Sequence, residues 1–91
     1  MFEWDDANLR KIRAHRIQRL EVEQALANDP IAIYDQDIEG ETRYVYYAET
    51  LRGRLLAIVV TERGEKIRVV TAYDLDAGQR REYLERRMRG E

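Results

Sequence analysis

An α+β fold, with two N-terminal helices, an antiparallel meander of three or four strands and a C-terminal helix, is predicted by three observations. Apolar residues recur at loosely helical spacing before Pro30. After Pro30 the period shortens toward two, and short turn segments punctuate it. Beyond Asp76 a helical pattern returns in "QRREYLERRM". Helices and strands kept apart along the chain predict helices segregated on one face of the sheet.

The first helix starts at "WDDANL". Asp5 stands where a helix N-cap belongs, its carboxylate free to accept an orphan backbone N–H. Asp6 adds negative charge in the first turn, which suits the helix dipole. Trp4, just before the cap, is placed to pack on Leu9 as a hydrophobic staple. Leu9 and Ile12 continue the apolar stripe, and Arg10, Lys11 and Arg13 face water.

A second helix is predicted over "RLEVEQALAND". Leu20, Val22, Ala25 and Leu26 form its stripe, and Asn28-Asp29-Pro30 stops it. Gln18 and Arg19 occupy its start, where Ser, Thr or Asp would cap better.

Beyond Pro30, "IAIYD" reads as a short strand and the acid-rich "QDIEGE" as a loop. "RYVYYAE" alternates loosely, and "RLLAIVVT" is the near-continuous apolar run of a strand covered on both faces. "KIRVVTAY" alternates again, and the short turns "LRG" and "ERGE" make the strands an antiparallel meander. The last helix runs from about Ala77 to Met88, capped by Asp74 or Asp76, with Tyr83, Leu84 and Met88 predicted to dock on the sheet.

Size and composition narrow the function. Ninety-one residues make one domain, spanning 1–91, with a modest core. The absence of cysteine excludes thiol catalysis, disulfides and thiolate zinc sites. A single histidine leaves no basis for a preformed transition-metal site, so no metal or cofactor is expected. The start carries no apolar run of a signal peptide, and no stretch approaches the roughly 20 apolar residues of a spanning helix. A cytoplasmic protein without membrane contact is expected. Charge is uneven: residues 1–50 carry six Lys/Arg against eleven Asp/Glu (net −5), and 51–91 carry ten against seven (net +3). A net-acidic chain does not fit one that coats nucleic acid without selectivity.

The polar residues then sort by chemistry. His15 is the one side chain whose ordinary pKa lies near neutrality, which makes it the candidate for proton transfer. A histidine at a helix end also serves simply as a cation near the dipole's negative end. Asp35, Asp37, Glu39 and Glu41 recur every second position, but Gly40 and the lack of apolar neighbours favour a solvated loop over a cation site. Arg52 and Arg54 flank Gly53 at a hairpin, Arg68 lies within a strand, and Arg80, Arg81, Arg86, Arg87 and Arg89 load the last helix. Guanidinium groups pair two-point with phosphate. Tyr44, Tyr46, Tyr47, Tyr73 and Tyr83 offer rings for bases to stack on. Arg54 and Arg68 stand beside apolar strand residues, where an idle charge costs stability. A basic, tyrosine-bearing surface for single-stranded RNA is one reading. Solvated Arg/Glu faces with i,i+4 pairs, such as Arg81 with Glu85, are the other.

Taken in order, "FEWDDANLRKIRAH", "EVEQAL", "GRLLAIVVTERGEKIRVVTA" and "QRREY" resemble the BrnT family of bacterial toxins over nearly the whole chain. That family is similar in fold to the RelE ribonucleases. The resemblance implies a metal-independent RNA-cleaving toxin, held inactive by a DNA-binding antitoxin partner. It implies His15, Arg54, Arg68, Arg80, Arg81 and Tyr83 as the catalytic positions. Arg54 and Arg68 would hold the phosphate, Arg80 or Arg81 would meet transition-state charge, and His15 or Tyr83 would move a proton. For that scheme, guanidinium groups from separate segments must converge on one patch. This chain departs from the family pattern with Arg16 where glycine follows the histidine, Gln18-Arg19 where Ser-Pro is usual, and Tyr73-Asp74 where an arginine is expected after the last strand. The alternative is a catalytically weak or inactive module that keeps the scaffold for protein binding.

Overall fold

The computed structural model describes residues 1–90. Strand β1 (Phe2–Glu3) leads into helices α1 (Asp6–Ala14) and α2 (Arg19–Leu26). Strands β2 (Ile31–Ile38), β3 (Glu41–Glu49), β4 (Leu55–Arg63) and β5 (Lys66–Asp74) follow, and helix α3 (Ala77–Met88) closes the chain. The predicted meander is present as β2 to β5. The sheet has five strands in the order β1-β5-β4-β3-β2, because β1 adds in parallel to β5, with Phe2 opposite Ile67.

The helices do not share one face, which corrects the prediction. β4 alternates without interruption, so it faces two layers. Leu56, Ile58 and Val60 join Ile12, Ile17, Val22 and Ala25 under α1 and α2. Leu55, Ala57 and Val59 join Ile31, Tyr47, Leu75 and Tyr83 under α3. The apolar run in β4 required cover on both sides, and the C-terminal helix supplies the second.

One residue in β5 controls which side chains reach each layer. Val59 pairs with Thr71 and Val60 with Val69, so Val70 is the extra residue of a β-bulge. Ile67 and Val69 face the α1–α2 layer before the bulge, and Ala72 faces it after. The bulge exposes a carbonyl at Val70 that the ladder does not use. Asn8 is buried and fills that need, its side-chain amide donating to Val70 O at 3.2 Å.

The helix ends follow the sequence closely. Asp5 caps α1, accepting the Asn8 N–H at 2.8 Å. Trp4 packs with Leu9 against the same core cluster, and its indole N–H donates to Glu23 of α2 at 2.8 Å. Asp76, one of the two proposed caps, starts α3, and Gln79 returns a hydrogen bond to the Asp76 N–H at 2.9 Å. Gln18 proves an adequate start for α2 because Glu21 accepts its backbone N–H at 2.9 Å.

Three further expectations are overturned. The segment read as a loop after "IAIYD" continues β2 to Ile38, with Asp35 opposite Tyr44 and Asp37 opposite Thr42. An edge strand tolerates this polarity, since it has one ladder to make and water on its free side. Leu20 is exposed and leaves the α2 stripe, and Leu84 and Met88 are exposed rather than docked. Tyr83 alone anchors α3 from within its helical span. No helix is long and apolar enough to cross a membrane.

Candidate functional site: the Arg54 corner

The chain turns from α1 to α2 through Arg16, which holds a left-handed backbone (φ 57°). Arg16 N–H reaches Arg13 O at 2.9 Å and Ile17 N–H reaches Ile12 O at 3.0 Å, a Schellman ending whose two apolar residues, Ile12 and Ile17, are both buried. Glycine suits this conformation best. Arg16 occupies it nonetheless.

A tight loop brings β4 to the same corner. Thr50 N–H donates to Arg54 O at 2.8 Å, and Thr50 Oγ1 accepts the Arg54 N–H at 3.0 Å. Gly53 supplies the positive φ (85°) that the loop needs before Arg54. The Arg54 side chain then points across to the helix turn.

There it gathers four residues from three segments. Its Nε and Nη2 take both oxygens of Asp74, at 2.7 and 3.0 Å. Nη1 donates to Arg16 O at 2.9 Å and lies 3.3 Å from Glu21 Oε2, while Nη2 also donates to His15 O at 3.1 Å. The carbonyls at the C-terminus of α1 carry partial negative charge, so a guanidinium belongs there. The Asp74 hydrogen bonds hold Arg54 firmly in its charged form. In turn, Arg54 first, and the nearby His15 to a smaller degree, hold the Asp74 carboxyl below its ordinary value. His15 itself is exposed, its ring centroid 6.2 Å from that of Tyr73. Beside the corner lies a cleft of about 650 Å³ lined by Arg16, Glu21, Thr50, Arg52 and Arg54.

The six candidate residues separate. His15 and Arg54 come together here. Arg80 approaches the same end, donating to Leu75 O at 2.8 Å, one residue past Asp74. Arg81 is exposed on the first turns of α3. Arg68 lies elsewhere: it is six residues from Asp74 along β5, roughly 20 Å at strand rise. Its guanidinium binds Asp5 at 2.9 Å and Asn8 at 3.3 Å, at the opposite end of α1. Tyr83 is 3% exposed, with its hydroxyl accepting from Arg87 Nε at 3.1 Å and the Arg87 guanidinium 5.1 Å from its ring centre. Arg87 in turn binds Asp29, through both the carboxylate and the backbone carbonyl. The tyrosine is a core residue.

Asp74 and Glu21 are the parts of the corner that sequence reading missed as site residues, whereas Tyr73 was named only as one of several rings for bases to stack on. The one available signal was the Tyr73-Asp74 departure itself. A carboxylate twenty residues from Arg54 gives no local hint of pairing with it. The acids of β2 form no metal site, and no group of three or more His, Asp or Glu gathers suitably for an ion among the described residues.

Fold and corner together define a small α+β protein that carries one exposed imidazole next to an arginine-centred polar cluster. Residues 4–78 match the family model described as "Ribonuclease toxin, BrnT, of type II toxin-antitoxin system". The chain belongs to the BrnT family of ribonuclease toxins. Arg80, Arg81 and Tyr83 lie beyond the matched segment. None of the curated proteins matches the chain.

Proposed function

We propose that this chain cleaves RNA, without a metal ion, at the corner where α1, α2, β4 and β5 meet. The observation that carries the reading is the attachment of the lone histidine to the arginine cluster. Arg54 grips the His15 carbonyl and so holds the backbone from which the imidazole projects. Family membership supports RNA as the substrate.

In this scheme the neutral His15 imidazole takes the proton of a ribose 2′-OH. The 2′-oxygen bonds to the adjacent phosphorus, the P–O5′ bond breaks, and the departing 5′-oxygen takes a proton from solvent. Arg80, Arg81 and Arg52 supply positive charge around the phosphate, and Arg54 organises the corner. Arg68 and Tyr83 act in the scaffold. Positioned cations that meet developing charge form the largest contribution in such a site, and loss of one typically costs about 10²–10³ in rate.

The proposed setting is a bacterial cytoplasm, where a DNA-binding antitoxin covers the toxin until released. Expression of the chain alone is expected to arrest growth and degrade RNA, and His15→Ala is expected to abolish both. Cleavage by the purified chain is expected to persist in EDTA; loss of activity there sinks the metal-free scheme.

A second reading, a module that binds its partner without cleaving RNA, is favoured by one observation. All five N–H groups of Arg54 have acceptors within the protein, so none is spare for a phosphate as the corner stands. Normal growth and intact RNA on expression would select it.

A further inference from the structure

We infer that the Asp74 carboxylate sits in a phosphodiester-binding seat formed by Arg54 and His15, as a built-in stand-in for the anion. The inference rests on the RNA-cleaving reading for the identity of that anion.

Four observations place the seat. First, Asp74 engages Arg54 edge-on through two parallel N–H···O bonds of 2.7 and 3.0 Å. A guanidinium offers phosphate oxygens the same fork. Second, the two partners differ in freedom. The Asp74 side chain is 56% exposed and closes β5, whereas Arg54 is 28% exposed. If Asp74 swings out, the carbonyls of His15 and Arg16 and the Glu21 carboxylate still hold Arg54 by Nη1 and Nη2. The fork stays aimed. Third, His15 stands at the same corner, its carbonyl 3.1 Å from Arg54 Nη2 and its ring centroid 6.2 Å from that of Tyr73, the neighbour of Asp74. Fourth, the adjoining cleft carries the exposed guanidinium groups of Arg16 and Arg52, which can follow the next phosphates of a chain. Glu21 lines the same cleft and opposes anions, which restricts the seat to the Asp74 side of the fork.

The seat therefore exchanges one anion for another. No bond is made or broken in that exchange. A polyanion can meet its cost by adding contacts to Arg16 and Arg52 that Asp74 cannot make.

The test uses the full chain and a 2′-O-methyl oligoribonucleotide, which binds but cannot be cleaved. Asp74→Asn is expected to bind it at least about tenfold more tightly than the unaltered chain, with the gain lost at high salt. Asp35→Asn on β2 removes the same charge far from the corner and is the control. Equal affinity in Asp74→Asn and the unaltered chain overturns the inference, and so does an equal gain in Asp35→Asn. A second readout needs no substitution. Titration of the unaltered chain with inorganic phosphate is expected to move the NMR signals of Arg54 Nε–H and the His15 ring together, leaving Arg68 Nε–H unmoved. Equal movement of both arginines would show general screening and overturn the seat. RNA degradation on expression, combined with no gain in Asp74→Asn, removes the seat and leaves the RNA-cleaving reading. Tighter binding without RNA degradation keeps the seat and removes that reading.

Discussion

Helix α1 is held at each end by an arginine, Arg68 from β5 and Arg54 from the loop before β4, and the two attachments differ in what they would lose if opened. At the N-terminus, Arg68 binds Asp5 and Asn8. Asp5 is already the helix cap, and Asn8 already satisfies the bulge carbonyl of Val70. Every partner there has a second structural task. At the C-terminus, Arg54 binds two carbonyls fixed in the backbone of the helix turn, the Glu21 carboxylate that also caps α2, and the carboxylate of Asp74, which has no such second task. One arginine is sealed into the start of a helix. The other keeps an exchangeable partner beside an open cleft.

The comparison breaks most visibly at Arg54. Arg54→Ala removes hydrogen bonds to two carboxylates and two carbonyls at once, and about 2–3 kcal/mol of stability should go with them. In a domain of this size that is a fall in Tm of roughly 10–20 °C, readable by calorimetry. Such a loss separates a scaffold effect from a loss of chemistry, so activity in this variant must be read alongside its melting curve.

Asn8→Ala should come next. It leaves the Val70 carbonyl without its donor in a buried place, at a cost of about 2 kcal/mol by urea unfolding. Arg68→Ala should cost less, since Asp5 keeps its cap hydrogen bond to the Asn8 N–H. An equal loss in both would mean that the guanidinium, and not the amide, holds the N-terminal end.

Acid should weaken both ends in the same direction. The Asp5 carboxyl is held below its ordinary value of 3.8 by the Asn8 backbone N–H first and by Arg68 after it, and Asp74 is held low by Arg54. Carboxyls with lowered values stabilise the folded state above their ordinary value, and that stability is lost as pH falls through 4 and below. Urea midpoints should therefore drop between pH 5 and pH 3. Asp74→Asn should flatten part of that slope, and an unchanged slope would show that Asp5 carries it.

The smallest effect is a gain. Arg16→Gly relieves a left-handed backbone and should stabilise the chain by about 0.5–1 kcal/mol, keeping the carbonyl that Arg54 grips. A loss instead would mean that the Arg16 side chain contributes to the corner.

Much of this molecule was legible in one dimension. The Asp5 cap, the α3 span from Ala77 to Met88 and the strands around "RLLAIVVT" and "KIRVVTAY" rest on local rules, and they stand as read. What failed depends on distant neighbours. The polarity of Asp35, Gln36 and Asp37 suggested a loop because an edge position is not visible in a run of letters. Leu84 and Met88 were assigned to the core by apolarity alone, although both are exposed and Tyr83 is the residue of α3 that is buried. The candidate site divided for the same reason. His15 and Arg54 are near in space through the turn at Arg16, whereas Arg68 and Tyr83 are grouped with them by resemblance to the family pattern and not by place.

The extra residue at Val70 has a consequence for length variation in this chain. A deletion there would close the ladder, with Val69 followed directly by Thr71 opposite Val60 and Val59, and every later side chain would keep its face. The loss would fall on Asn8, whose amide would be stranded in a buried place without the carbonyl it now serves. A shortened β5 therefore calls for an apolar residue at position 8, a linkage that joins two places 62 positions apart in the chain.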